Sequence, residues 1–432
     1  MTRATVDRLS EFVGQEVEIA GWLFNKRGKG KLQFLLIRDG TGIVQAVAFR
    51  GEIDDADFEA GLALTQESSL IVRGSVREDK RAPGGYELSL SSIRPLQIAE
   101  DYPISPKSHG TGFLMDHRHL WLRSRRQHAI LRIRDEIVRS IRDHMADQGF
   151  YLVDAPIFTP NACEGTSTLF ETEYFGQKAY LSQSGQLYME AACFALGKVY
   201  CFGPTFRAEK SKTRRHLTEF WMMEPEIAFG ELGDAMDLAE GLIRNIIERT
   251  LERRRVDLET LERDIAPLEK VVEDTPFPRI TYDRAFEILG PAGSETPFGA
   301  DLGGGDETML GEHFDRPLMV THWPKEVKAF YMETDPDDPT RVLGVDMIAP
   351  EGYGEIIGGG QRMESLEQLE KAIDDHDLPQ EAFAWFKDLR RYGSVRHAGF
   401  GLGLERVVAW ICGLDHLRES IPFPRTMHRL YP

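Results

Sequence analysis

The period of the hydrophobic pattern changes once along this chain, and that change constrains the fold more than any other feature. Between residues 14 and 98, apolar and polar residues alternate in GQEVEIAGWLF, KLQFLLIRDGTGIVQAVAF, SLIVRGSVRED and YELSLSSIRPLQI, with the turn signals RGKGK, DGTG and KRAPGG between them. A period of two belongs to strands with one buried face. Further on, Ile130, Ile133, Ile137 and Ile141 fall at helical spacing with arginines between them, and Gly149 is a natural stop. The chain therefore divides into an all-β part at 1–100, a Pro- and Gly-bearing hinge at 101–120, and a mixed part at 121–432.

About five short strands in roughly 90 residues suit a small closed barrel of the OB-fold kind, whose face and loops bind oligonucleotides. Phe34 follows the basic loop of Lys26, Arg27, Lys29 and Lys31. An aromatic beside cations suits base stacking next to phosphate contacts, although by pattern alone Phe34 reads first as core. In the mixed part, an extended piece, YLVDAPIFTP, follows the isoleucine helix. Helices are expected at 234–255, 365–375 and 380–392, with strands in KVYCFGPTF, EFWMMEPEIAF and RPLMVTHWP. These do not alternate as in a doubly wound sheet, so the expectation is an α+β fold with a mostly antiparallel sheet flanked by helices. The segment 266–279 reads as a loose insertion.

The formal charge of −18 does not exclude nucleic acid, because binding depends on local patches such as 26–31 and the arginines of 118–142. No run approaches a membrane span, and MTRATVDRLSEFVG lacks the apolar stretch of a secretory leader. Cys163, Cys193, Cys201 and Cys412 show neither C-x-x-C nor metal-ligand spacing, and read as free thiols in a reducing cytoplasm.

Three segments carry the chemistry. In FRAEKSKTRRHLTEFWMMEPEIAF (206–229), two strand-like pieces flank a cationic loop, and Arg207 and Glu209 face one way on the first strand. An arginine there can hold a carboxylate or phosphate bidentately. In HAGFGLGLERVVAWICG, Gly399, Gly401 and Gly403 alternate before a helix beginning near Leu404. Arg406, in its first turn, gains nothing from the helix dipole and is better explained as a ligand for polyanion charge. Neither a Walker loop nor G-x-G-x-x-G is present. In VDMIAPEGYGEIIGGGQRM, Asp346 and Glu355 stand near a triple glycine, with Arg362 after it. Carboxylates beside a phosphate site suit Mg²⁺.

Together these segments resemble the three signature motifs of the class II aminoacyl-tRNA synthetases, in the family's order: GFYLVDAP with Pro156, then FRAE…EFWMMEPE, then GFGLGLER. The leading barrel and RHLWLRSRRQ resemble the aspartyl, asparaginyl and lysyl subgroup. Aspartyl enzymes carry S-P-Q-L-Y-K, whose lysine meets a carboxylate. Here SGQLYME puts Met189 at that position, and Glu224 stands where the aspartyl family has an aspartate. At both points the chain is similar to the asparaginyl members.

That resemblance implies ATP-dependent ligation of L-asparagine to tRNA(Asn) through an asparaginyl-adenylate, by a cytoplasmic homodimer joined through motif 1. It implies an asparagine pocket of Glu164, Ser184, Gln186, Arg207, Glu224 and Arg362. It implies ATP binding by Arg207, Glu209, His216, Glu219, Phe220, Glu355 and Arg406, with Arg207 and Arg406 stabilising developing charge. It implies Mg²⁺ on Asp346 and Glu355, although a serine ligand of aspartyl enzymes falls at Gly358, and anticodon contacts through Arg27, Phe34 and Gln45. An aspartyl-tRNA synthetase, discriminating or non-discriminating, and a non-catalytic RNA-binding relative are the alternatives. Met189 and Glu224 oppose the first, and intact Arg207, Phe220 and Arg406 oppose the second.

Overall fold

The computed structural model describes residues 2–161, 163 and 168–432. It separates into two compact units, Met1–Gly110 and Thr111–Pro432.

In the first unit, β1 (Glu16–Lys29), β2 (Leu32–Arg38), β3 (Ile43–Phe49), β4 (Ser69–Glu78) and β5 (Tyr86–Gln97) form one sheet. Its order β1-β2-β3-β5-β4 closes by pairing β1 with β4, from Glu16↔Ser75 to Trp22↔Ser69. A closed barrel leaves no edge between these strands to aggregate. Alternation sends Val17, Ile19, Leu35, Ile37, Val44, Ala46, Leu70 and Val72 inward, where each is at most 1% exposed. Residues of the other parity, including Phe34 and Gln45, are half-buried on the outer face.

The second unit is built on an eight-stranded sheet. In spatial order it runs Arg279–Thr281, β8 (Leu318–Pro324), β9 (Arg341–Ala349), β10 (Gly354–Gln361), β11 (His397–Gly403), β7 (Glu219–Ala228), β6 (Lys198–Phe206) and Tyr151–Leu152. All pairings are antiparallel except the outermost at each end. This is the expected α+β arrangement.

Helix α1 (Arg125–Asp147) starts at Ser124, whose hydroxyl accepts the Gln127 N–H at 3.3 Å. It ends at Gly149, with φ +79°. Its isoleucines at 130, 133, 137 and 141 are fully buried, each worth about 1.5–3 kcal/mol of transfer free energy. They share a core with Leu242, Ile243, Ile246 and Ile247 of α3 (Leu232–Arg253) and with the sheet. On the same pair of helices Glu136 is buried but paired, at 2.6 Å to Arg249 and 3.0 Å to Arg254.

Two local expectations are corrected. The segment 266–279 is no loose insertion: Ala266–Val271 is helical, and Leu268, Val271 and Phe277 are core residues. Helix 380–392 is shorter, Ala384–Arg391. The hinge segment divides at Gly110. Beyond it Thr111–Asp116 and Arg118–Trp121 are helical, and the buried Arg118 donates to the carbonyls of Pro422 (2.8 Å) and Ile421 (2.9 Å).

Candidate active site

The glycines of β10 and β11 let the central strands close up. A Cβ at Gly399 would lie 2.1 Å from the Pro225 carbonyl oxygen, and one at Gly359 2.5 Å from the Phe400 Cα. A Cβ at Gly401 would meet the Met222 methyl at 2.3 Å. Any side chain there would part the sheet. Over Gly401 and Gly403 opens a cleft of about 310 Å³, lined also by Arg207, Glu209, His216, Phe220, Glu355 and Arg406.

The first strand ends at Phe206, so Arg207 and Glu209 do not lie on it as expected but in the loop beyond it. Arg207 is held by its backbone N–H to the Thr218 carbonyl at 3.0 Å, with its guanidinium carbon 5.5 Å from the centre of the Phe220 ring. Glu209 meets His216 Nε2 at 3.2 Å. That hydrogen bond, opposed by burial and helped by Arg207 and Arg406, holds the carboxyl below its usual range. The cationic loop divides in role. Arg215 is pinned to the Gly304 carbonyl (2.9 Å), the Thr308 hydroxyl (2.7 Å) and the Gly352 carbonyl, whereas Lys210, Lys212 and Arg214 are exposed. Arg406, from the first turn of α4 (Leu404–Cys412), donates to the Glu355 carbonyl at 2.6 Å. Glu219 registers with Phe206 and pairs through its backbone with Arg425, and does not line the cleft.

Beside Glu355, Asp346 accepts from Lys328 Nζ at 2.5 Å. Burial pushes the Asp346 carboxyl up. Lys328 opposes that shift, and the negative charge of Glu355 and Asp301 adds to it. Asp346 faces Gly358 across the ladder, where a Cβ would lie 2.7 Å from Glu355 Oε1 and 3.6 Å from Asp346 Oδ1. Both carboxylates therefore look over one backbone gap. Among the described residues no group of three or more Asp, Glu, His or Cys forms a ready metal cage. Two hard carboxylates beside a phosphate-sized cleft nevertheless fit Mg²⁺, which takes few protein ligands and keeps water and phosphate oxygens.

Behind Gly401 lies Glu224, two residues along β7 from Met222 and only 4% exposed, its Cγ 3.8 Å from where a Cβ on Gly401 would be. Its carboxylate accepts from the Ser184 hydroxyl, from the Gly185 N–H at 2.8 Å and from Cys201 Sγ at 3.4 Å. Gly185 caps helix α2 (Gln186–Leu196), whose positive end suits the anion. Met189 lies in an apolar cluster with Cys193, Val199 and Cys201. A lysine there would be a cation buried among apolar groups. Arg362 is buried and paired to Glu226, through Nη2 at 2.5 Å and Nε at 3.1 Å, with Nη1 3.7 Å from Met332 Sδ. Gln186 Nε2 donates to Glu190 at 3.0 Å. Glu164 lies outside the described residues.

Sequence reading missed Glu190, Cys201, Glu226 and Lys328, and named Arg215 only as one cation of the loop. Only Glu226 carried a signal: it shares strand parity with Glu224 in MMEPE and so points to the same face.

On the barrel, the Arg27 guanidinium carbon sits 5.0 Å from the Phe34 ring centre, across the β1–β2 register pair. Arg27 donates to Gln45 at 3.3 Å, Gln45 to Glu87 at 3.1 Å, and Arg77 to Glu87 at 2.8 Å. The structure thus gathers the three expected anticodon residues on one outward patch.

Known proteins were compared with this geometry. A profile for an OB-fold nucleic acid binding domain matches residues 17–96, and one for tRNA synthetases class II (D, K and N) matches residues 111–427. An asparagine–tRNA ligase of Sorangium cellulosum is 59% identical over 99% of this chain and 98% of its own length. One of Koribacter versatilis is 57% identical over 99% of both. The crystal structure of asparaginyl-tRNA synthetase from Pyrococcus horikoshii complexed with asparaginyl-adenylate superposes with a TM-score of 0.96 at 45% identity, covering 100% of each chain. With barrel, sheet, cleft and pocket all accounted for along its whole length, the chain belongs to the class II tRNA synthetases of the D, K and N group, and within it to the asparagine–tRNA ligase family.

Proposed function

We propose that the chain ligates L-asparagine to tRNA(Asn), with ATP consumed to form an asparaginyl-adenylate. The observation that carries the choice of amino acid is the buried Glu224, a carboxylate fixed by three donors beside Gly401 of the cleft. It accepts from the asparagine side-chain NH₂ and repels an aspartate carboxylate, so one group both attracts and excludes. Arg362 Nη1 donates to the amide oxygen while Nη2 and Nε stay with Glu226. Ser184 holds Glu224, and Glu164 and Gln186 accept from the α-ammonium.

Phe220 stacks on the adenine, and Arg406 covers its other face and reaches the γ-phosphate. Glu209 and His216 border the phosphates, and Glu219, outside the cleft lining, is left to read the tRNA end. Arg207 bridges the asparagine carboxylate and the α-phosphate. As the carboxylate attacks phosphorus in line and pyrophosphate departs, Arg207 and Arg406 stabilise the charge that develops, the productive use of binding energy. The tRNA terminal ribose hydroxyl then attacks the acyl carbon, the acyl–phosphate bond breaks, and AMP departs as the hydroxyl loses its proton. Asp346 and Glu355 are the residues that would hold Mg²⁺, which neutralises phosphate charge when bound.

Phe34 stacks on an anticodon base, with Gln45 and Arg27 contacting bases or phosphate. The reading includes a cytoplasmic homodimer. The sheet-edge strand Tyr151–Leu152 supports the dimer: it exposes both side chains beside exposed Ile157 and Phe158, an edge and apolar patch suited to a second copy. Among the described residues no helix is long and apolar enough to cross a membrane. The test is pyrophosphate exchange on ATP with asparagine and aspartate side by side. Exchange with asparagine alone is expected, and exchange with aspartate overturns the reading of the pocket.

A further inference from the structure

We infer that Glu190 is a positioning residue for amino-acid recognition, because it dictates which end of the Gln186 amide faces the substrate. The inference rests on the proposed role of Gln186 and extends it one shell outward.

Glu190 stands one helical turn after Gln186 on α2, fully buried. One carboxylate oxygen accepts from Gln186 Nε2 at 3.0 Å. The other meets Arg390 Nη2 at 2.7 Å and His397 Nε2 at 2.9 Å, and the side chains of both partners are fully buried. Burial pushes the Glu190 carboxyl up, but Arg390 and His397 outweigh it and leave the group below its usual range, ionised at any working pH. An ionised carboxylate only accepts, so Gln186 has to give it the NH₂ end. The amide oxygen is then the end presented away from Glu190. An α-ammonium only donates, so an oxygen is what it requires. Without Glu190 the amide could turn over and oppose the ammonium with its own N–H groups.

The same cluster holds the other side of the pocket. Arg390 Nε donates to the Met363 carbonyl at 2.8 Å, and the Arg362 backbone N–H donates to the His397 carbonyl at 2.9 Å. Both partners of Glu190 thus brace the backbone that carries Arg362. A carboxylate paired with Arg390 and His397 in the interior is costly to assemble. Serving two arms of one pocket is a reason for its presence that packing alone does not supply.

The experiment compares wild type with Glu190→Gln, Glu190→Asp, Gln186→Ala and the double variant Q186A/E190Q in steady-state pyrophosphate exchange. E190Q is expected to raise the KM for asparagine about 10- to 100-fold, the range of a lost hydrogen bond to a charged group, with the KM for ATP within about twofold. The double variant should lose little beyond Q186A, because the main route from Glu190 to the substrate runs through Gln186 and the bracing of Arg362 adds only a small remainder. Succinamate, which lacks the α-ammonium, should inhibit wild type and E190Q equally. Should E190Q fail to fold, E190D carries the test with a smaller rise in the same KM. Equal losses for asparagine and ATP, or a full E190Q penalty in the Q186A background, overturn the inference. Wild type that exchanges with no asparagine at all would instead overturn the function on which it rests.

Discussion

Gly185 donates its backbone N–H to Glu224 at 2.8 Å, and the space above Gly185 is closed: a Cβ there would lie 2.5 Å from Cys201 Sγ and 2.9 Å from the Ala155 methyl. The cap of one helix and the buried Glu224 carboxylate of a neighbouring strand are therefore one unit. Gly185→Ala is expected to cost about 1–3 kcal/mol of stability through overpacking, read as a lower Tm. It should also weaken asparagine activation more than ATP binding. Glu224→Gln, which keeps the shape and removes the charge, should lower kcat/KM for asparagine at least about tenfold and narrow the preference over aspartate in parallel exchange assays.

Arg207 is assigned to charge that develops during adenylate formation. Arg207→Gln is expected to lower kcat for exchange by about 10²–10³, with a smaller change in the KM for ATP. A purely structural arginine would show the reverse, a lower Tm with kcat kept in the folded fraction.

Lys328 is the nearest cation to Asp346. Lys328→Met leaves that carboxylate without its ion pair, and the expected cost is about 3–5 kcal/mol in the ligand-free protein. If Asp346 and Glu355 hold Mg²⁺, saturating Mg²⁺ with ATP should recover more Tm in the variant than it adds to wild type. Equal increments would argue against metal at these acids.

His416 caps the short helical turn Leu417–Glu419, its Nδ1 accepting the Arg418 N–H at 3.2 Å. Burial, with help from Arg418, pushes its pKa down to about 4. The folded value lies below the unfolded value near 6.5, so the unfolded state binds more protons between them. Stability from this site is complete above about pH 6.5 and is lost as pH falls towards 4. Wild type should lose Tm between pH 7 and 5. His416→Asn, which keeps a capping acceptor, should flatten that part of the profile.

Phe34 shares its outer face with Arg27 and Gln45, in a unit separate from the cleft. Phe34→Ala is expected to lower kcat/KM for tRNA charging by about 10- to 100-fold, the value of one lost stacking contact. Pyrophosphate exchange without tRNA should stay unchanged. A parallel loss of exchange would mean that Phe34 matters for folding.

Strand parity and helical period are local properties, so the barrel, the isoleucine helix and the antiparallel character of the sheet were legible in residue order. So were Arg207, Phe220, Arg406 and Glu224, because short motifs carry them. The expected anticodon contacts were nameable only by resemblance, since pattern alone favoured Phe34 as a core residue. The closed barrel and the β1–β2 register then turned it outward.

The sequence alone determined which residue types are present and how each element repeats: the missing lysine at Met189, the acid at Glu224 and the alternating glycines of β11. Tertiary structure alone decided which distant charges meet. Glu190 finds Arg390 and His397 some 200 positions away, Lys328 finds Asp346, and Arg215 is pinned to Gly304 instead of serving the loop's exposed face. Such pairings follow from the burial of charge, which requires a partner wherever the fold happens to supply one. Sequence spacing carries no record of that choice.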